Sequence, residues 1–172
     1  MDSVRASLGG AEERARWIAS EGLQRFTDSQ PALSQYMSGK LSASLDEPAL
    51  ALGHMLSLAV FMAFETFAGT PLRAVSADGA AAADAALSAD EELRRVDPLD
   101  ALDSEDIVAI EQPALVAFVN EHVGFTLAEH ADSIDVDAVA VVFRALLVEI
   151  LALSHAVAAP PGYPERDAEP MA

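Results

Sequence analysis

There is no cysteine anywhere in these 172 residues. Disulfides, thiolate metal sites and cysteine nucleophiles are therefore excluded. Lysine occurs once, at Lys40, and tryptophan once, at Trp17. Positive charge is scarce altogether: Lys and Arg number 10 against 28 Asp and Glu, a net charge of −18. A field of that sign opposes nucleic-acid phosphate and anionic membrane surfaces, so neither is an expected partner. It favours basic partners, or serves solubility. Also missing are a Gly-x-Ser-x-Gly elbow, a P-loop and a Gly-x-Gly-x-x-Gly turn, so a hydrolase or nucleotide enzyme is not expected. The first 20 residues lack the apolar core of a signal peptide, which makes the cytoplasm the expected compartment.

What the chain has in quantity is apolar residues, at 52% with a mean hydropathy of +0.24. Much of this is alanine, which adds helix propensity more than core volume. Alanine richness, with arginine in place of lysine, suggests a GC-rich bacterial genome. The length suits one domain with a sizeable core.

One stretch occurs twice. Gln30-Pro31-Ala32-Leu33, followed by Tyr36-Met37, returns as Gln112-Pro113-Ala114-Leu115, followed by Phe118-Val119. Proline suits the first turn of a helix, and glutamine before it can accept or donate at the helix entrance. Leu33 and Tyr36, and Leu115 and Phe118, then share a face and anchor the hairpin. Each copy leads through a polar break into a long apolar segment, 49–67 and 138–157. The glutamines are 82 positions apart, and the break residues Asp46 and Asp135 are 89 apart. The second copy is thus longer by about two helical turns. These features predict an internal duplication of two similar helical hairpins.

The expected fold is all-α: a single bundle of about six helices with approximate two-fold symmetry. Residues 1–10 read as loose, 11–157 as the bundle and 158–172 as a disordered tail. The repeat copies cover about 30–68 and 112–157. Helices are expected near 11–27, 31–45, 47–68, 75–96, 113–131 and 136–157, the fourth with a break near Asp78-Gly79. Asp28 and Ser29 are N-cap candidates for the second helix, Asp46 for the third and Asp135 for the sixth. The third is long enough to span a bilayer. Its flanks are acidic rather than Lys/Arg-rich and Glu65 lies within it, so a buried core helix is expected instead. The third and sixth helices, apolar almost all round, should be central.

Histidine and carboxylate patterning offers a weak site. His54 and Glu65 are eleven apart on one helix face, and His122 and Glu129 seven apart on another. Di-iron bundles pair Glu-x-x-His on two helices. No such spacing occurs here, nor His-x-x-x-His or His-Glu-x-x-His. No cofactor is therefore expected, and ordinary core histidines with solvated glutamates explain the pattern. Ser154 and His155 point about 100° apart on a helix and do not form a nucleophile–base pair. Pro160-Pro161-Gly162-Tyr163 matches the Pro-Pro-x-Tyr pattern bound by WW domains. A helix stop followed by a tail accounts for it equally well.

The reading of function is a non-enzymatic cytoplasmic interaction or regulatory module, packing on a protein partner or on itself as a homodimer. Asp90, Glu91 and Glu92 head an acidic stretch, 90–111, expected to face the partner. The alternative is a carboxylate/histidine site, metal-bound or acid–base, from His54, Glu65, His122 and Glu129, or an apolar small-ligand cavity between the third and sixth helices.

Overall fold

The computed structural model describes residues 20–42, 46–67, 72–96, 108, 112–130 and 134–157. Six helices run through them: α1 (20–29), α2 (Pro31–Leu41), α3 (Glu47–Phe67), α4 (Ala77–Val96), α5 (Pro113–Glu129) and α6 (Val136–Ala156). Among the described residues the fold is all-α, and its β pairing amounts to one isolated bridge between Leu72 and Val157. The expected loose N-terminus, Trp17, the tail and the acidic residues 97–107 lie outside the described residues.

The repeated tetrapeptide makes the same local structure twice. Proline disfavours the helical region for the residue before it. Gln30 accordingly sits at φ −130°, ψ 56°, and Gln112 at −137°, 59°. The Gln30 N–H still donates to the Phe26 carbonyl (2.8 Å), while the Gln30 carbonyl accepts from the Ser34 N–H (2.8 Å). Gln112 does the same between Val108 (2.8 Å) and Val116 (3.1 Å). One residue breaks the helix and serves both sides of the break. This corrects the capping expectation for α2: Asp28 and Ser29 belong to the last turn of α1, with the Ser29 hydroxyl donating to the Arg25 carbonyl. Neither glutamine caps its own helix through its side chain. The likeness is established for these junctions and not for the hairpins, whose first helices have 11 and 17 residues.

The other caps follow the sequence. Asp46 accepts from the Ala49 N–H (3.2 Å), and Asp135 from the Asp137 N–H (2.9 Å). Asp46 also accepts from the Asp135 backbone N–H, so the two caps meet. Further along, Gly53 faces Val142, and Phe64, Phe67 and Val157 share one cleft at the far end. Helices α3 and α6 are therefore parallel neighbours. The approach needs a glycine, since a Cβ on Gly53 would stand 2.6 Å from Leu41 Cδ2 and 3.0 Å from Val142 Cγ1.

Helix α6 is the axis of the molecule, touched by α2, α3, α4 and α5. Every residue from Ala145 to Leu153 is buried. Each large aliphatic among them contributes about 1.5–3 kcal/mol through removal from water. Helix α3 is also central but one-sided. It alone among the described helices is long and apolar enough to cross a bilayer, and 39% of its most apolar window is buried. Helix α1 covers part of it through Gly22, packed on Leu58 and Met62.

Helix α4 runs without a break through Asp78-Gly79. Gly79 falls in its first turn, where its N–H donates to the Ser76 hydroxyl (3.0 Å). The preceding segment is pinned from two sides. Arg73 N–H donates to the Ala156 carbonyl at the end of α6 (2.9 Å). The Gln30 side chain, fully buried, donates to the Arg73 carbonyl (3.0 Å) and accepts from the Val75 N–H (2.8 Å).

Candidate functional site

Three places carry chemistry or free space. The first is a charged network joining α2, α4 and α6. Arg144 donates through Nε to both Glu91 oxygens (3.0 and 3.4 Å), through Nη1 to Asp84 (2.5 Å) and through Nη2 to the Ser88 hydroxyl (2.7 Å). Lys40 reaches the other Asp84 oxygen at 3.2 Å and lies 5.3 Å from the centre of the Tyr36 ring. Partial burial works to raise the Asp84 pKa. The Arg144 and Lys40 charges bonded to it outweigh this and hold the carboxyl below its usual range. Burial, and then Asp84, push the Tyr36 phenol upward. A groove of about 690 Å³ runs past this network, floored by alanines of α2 and α4. The guanidinium has carboxylates on two sides and a hydroxyl on a third. Its charge is spent on holding α6 to α4, while Lys40 ties α2 to the same Asp84 carboxylate.

The second place is an apolar cleft of about 640 Å³ between the C-terminal end of α3 and the start of α5. Ala59, Ala63 and Phe67 line one wall, Leu115 and Phe118 the other, and Val157 closes the end. Phe67 is 84% exposed and continuous with the apolar lining of the cleft, so the two form one apolar surface rather than an isolated exposed side chain. Nothing among the described residues fills the cleft.

The third is Glu149, in the middle of α6 and fully buried. Neither carboxylate oxygen has a hydrogen-bond partner of normal geometry. Burial raises its pKa well above the usual carboxylate range, and the Ser57 hydroxyl on α3 offsets this in small part. In the sequence Glu149 stands as an acid within an apolar helical run. Only the enclosure of α6 on every side makes it a buried acid.

The predicted candidates are dispersed. His54 is exposed, its Nδ1 3.0 Å from the Leu50 carbonyl. Glu65 pairs instead with Arg25 of α1. His122 is half-buried, with Nδ1 2.9 Å from the Phe118 carbonyl and its ring against Phe118. Glu129 is exposed at the end of α5. Among the described residues, no group of three or more His, Asp or Glu is placed to hold a metal ion. Of the acidic trio on α4, Glu91 turns inward to Arg144 and Glu92 pairs with Arg95 at 3.6 Å. Asp90 is half-buried.

The repeat residues divide between core and cleft. Leu33 is fully buried and Tyr36 joins the charged network, whereas Leu115 and Phe118 form the cleft wall. Compared with known protein families, curated proteins and solved structures, the chain matches none, so its function has to be argued from this geometry.

Proposed function

We propose that this is a helix-packing interaction protein rather than an enzyme, and that it receives an amphipathic helix of a basic protein partner in the cleft between α3 and α5. The observation that carries the reading is the apolar cleft with Phe67 standing 84% exposed at its edge. Ala59, Ala63 and Phe67 follow one another a turn apart along α3. Two small side chains let a second helix approach closely, and an aromatic next to them supplies an anchor. Helix-in-groove recognition uses this combination. The charge of −18 selects among occupants: a second copy would bring like charge to like, whereas a basic helix is drawn in. Against catalysis stands the engagement of the richest polar cluster, Arg144 with Asp84, Glu91 and Ser88, in joining helices.

Affinity capture with the wild-type chain, Phe67→Asp and Phe125→Asp tests this. Phe125 is also exposed, at 62%, but lies outside the cleft. A basic protein retained by the wild type and by Phe125→Asp, yet lost with Phe67→Asp, is the expected result. Equal retention by all three proteins overturns the assignment of the cleft. A dimer in sedimentation that Phe67→Asp dissociates would replace the partner with a second copy. An apolar small molecule released on denaturation would replace it with a ligand.

A further inference from the structure

A charged-type side chain at the centre of a helix enclosed on all sides calls for its own account. Glu149 has Val148 and Ile150 beside it and Ala145 and Leu153 one turn away, all buried. It shares a face of α6 with Val142 and Leu146, toward α3. An ionised carboxylate there could only accept hydrogen bonds, and neither oxygen receives one of normal geometry. Among the described residues the Ser57 hydroxyl is the one group favouring the ionised form. A protonated carboxyl is neutral, and its O–H can itself donate to the Ser57 oxygen. Uncompensated burial of charge is far more costly than burial of the neutral acid.

Among the described residues, the surrounding elements supply no counter-charge. On α3, His54 and Glu65 are exposed and Glu65 is held by Arg25. Lys40 of α2 and Asp84 and Glu91 of α4 gather at Arg144, about 140° round α6 from Glu149. On α5, Glu121 and Glu129 are exposed and the His122 ring stacks on Phe118. Ser57 also lines a cavity of about 20 Å³, room for one water. Its other polar lining is Ser34, Ser38 and the exposed His54, among apolar side chains of α1, α2 and α3; Glu149 itself does not line it.

We propose that Glu149 is a buried pH sensor: the closed bundle holds a proton on this carboxyl, and losing it loosens α6 from α3. The proton is bound more tightly in the folded chain than in the unfolded one. The stabilisation it brings is complete below the unfolded carboxylate range, near pH 4.3 to a rough value. It is lost progressively as pH rises from there toward the folded pKa.

Denaturant unfolding of the wild type and Glu149→Gln across pH 5 to 9, compared as a difference, removes the contribution of the other acids. Relative to Glu149→Gln, the wild-type unfolding constant should grow about tenfold per pH unit until Glu149 ionises within the fold. Ser57→Ala removes the one group favouring the ionised form, so the end of that slope should move to higher pH. Parallel profiles for the wild type and Glu149→Gln would overturn the proposal. If Glu149→Gln does not fold, infrared spectroscopy of the wild type decides. A protonated-carboxyl stretch persisting at neutral pH, after the exposed acids have ionised, is expected, and its absence overturns the proposal.

Discussion

Gln30 and Gln112 occupy the same backbone geometry with different duties. Gln30 donates one hydrogen bond and accepts another through a fully buried side chain, both with the segment before α4. Gln112 is half-buried and lines the apolar cleft. Gln30→Ala would leave the Arg73 carbonyl and the Val75 N–H without their partner, and should cost about 2–3 kcal/mol. Gln112→Ala should cost under about 1 kcal/mol. Urea denaturation of the two variants side by side checks the contrast, and equal losses would contradict it. At this scale the sequence was informative wherever a residue's chemistry is local. Proline at a helix start and aspartate at a break could be read directly, and both structures formed. It was silent on Arg144, whose partners Asp84 and Glu91 lie 60 and 53 positions away. It did not mark Glu149 as buried, because an acid in an apolar run ordinarily lies on the wet side of a helix. No periodicity shows that a helix has no wet side.

Among the helices, two glycines separate packing from propensity. Gly53 sits where α3 meets both α2 and α6. In Gly53→Ala the tip of Leu41 can swing aside, but the branched Val142 is fixed at χ1 within a helix. The overpacking should outweigh the helix propensity gained, for a net loss of about 1–2 kcal/mol. Gly124 on α5 is exposed, with nothing within 4 Å of an added Cβ. Gly124→Ala should gain about 0.5–1 kcal/mol. Thermal melts of the two variants should move in opposite directions. Element positions were legible because helix starts carried proline or aspartate and apolar residues recurred at helical spacing. The exceptions have physical causes. The expected break in α4 disappears because Gly79 falls in the first turn, where backbone freedom costs little. The long acidic stretch is in part structural, since Glu91 faces inward.

For the whole molecule, the central place of α3 and α6 was legible from their apolar length, but their direction was not. A pairing of parallel helices leaves no mark in either sequence, since both faces read as apolar in any orientation. The cleft was equally hidden, because it depends on where α5 begins relative to the end of α3. With α6 supplying contacts to four helices, a chain ending at residue 134 should keep no cooperative fold. Circular dichroism should show a non-cooperative melt for it, and a sharp transition would show that α1 to α5 close a core without α6.

The meeting of Asp46 with Asp135 has a consequence for assembly in time. Parallel neighbours cannot be joined by a short turn, and these two caps are 89 positions apart. Most helical bundles grow from contacts between successive helices and close quickly. Here the principal contact waits for a long loop to close. During synthesis α3 leaves the ribosome early, with its apolar face open until α6 follows. Refolding should therefore be slow for an all-helical protein of this size, and the newly made chain should depend on being kept from other chains during that interval.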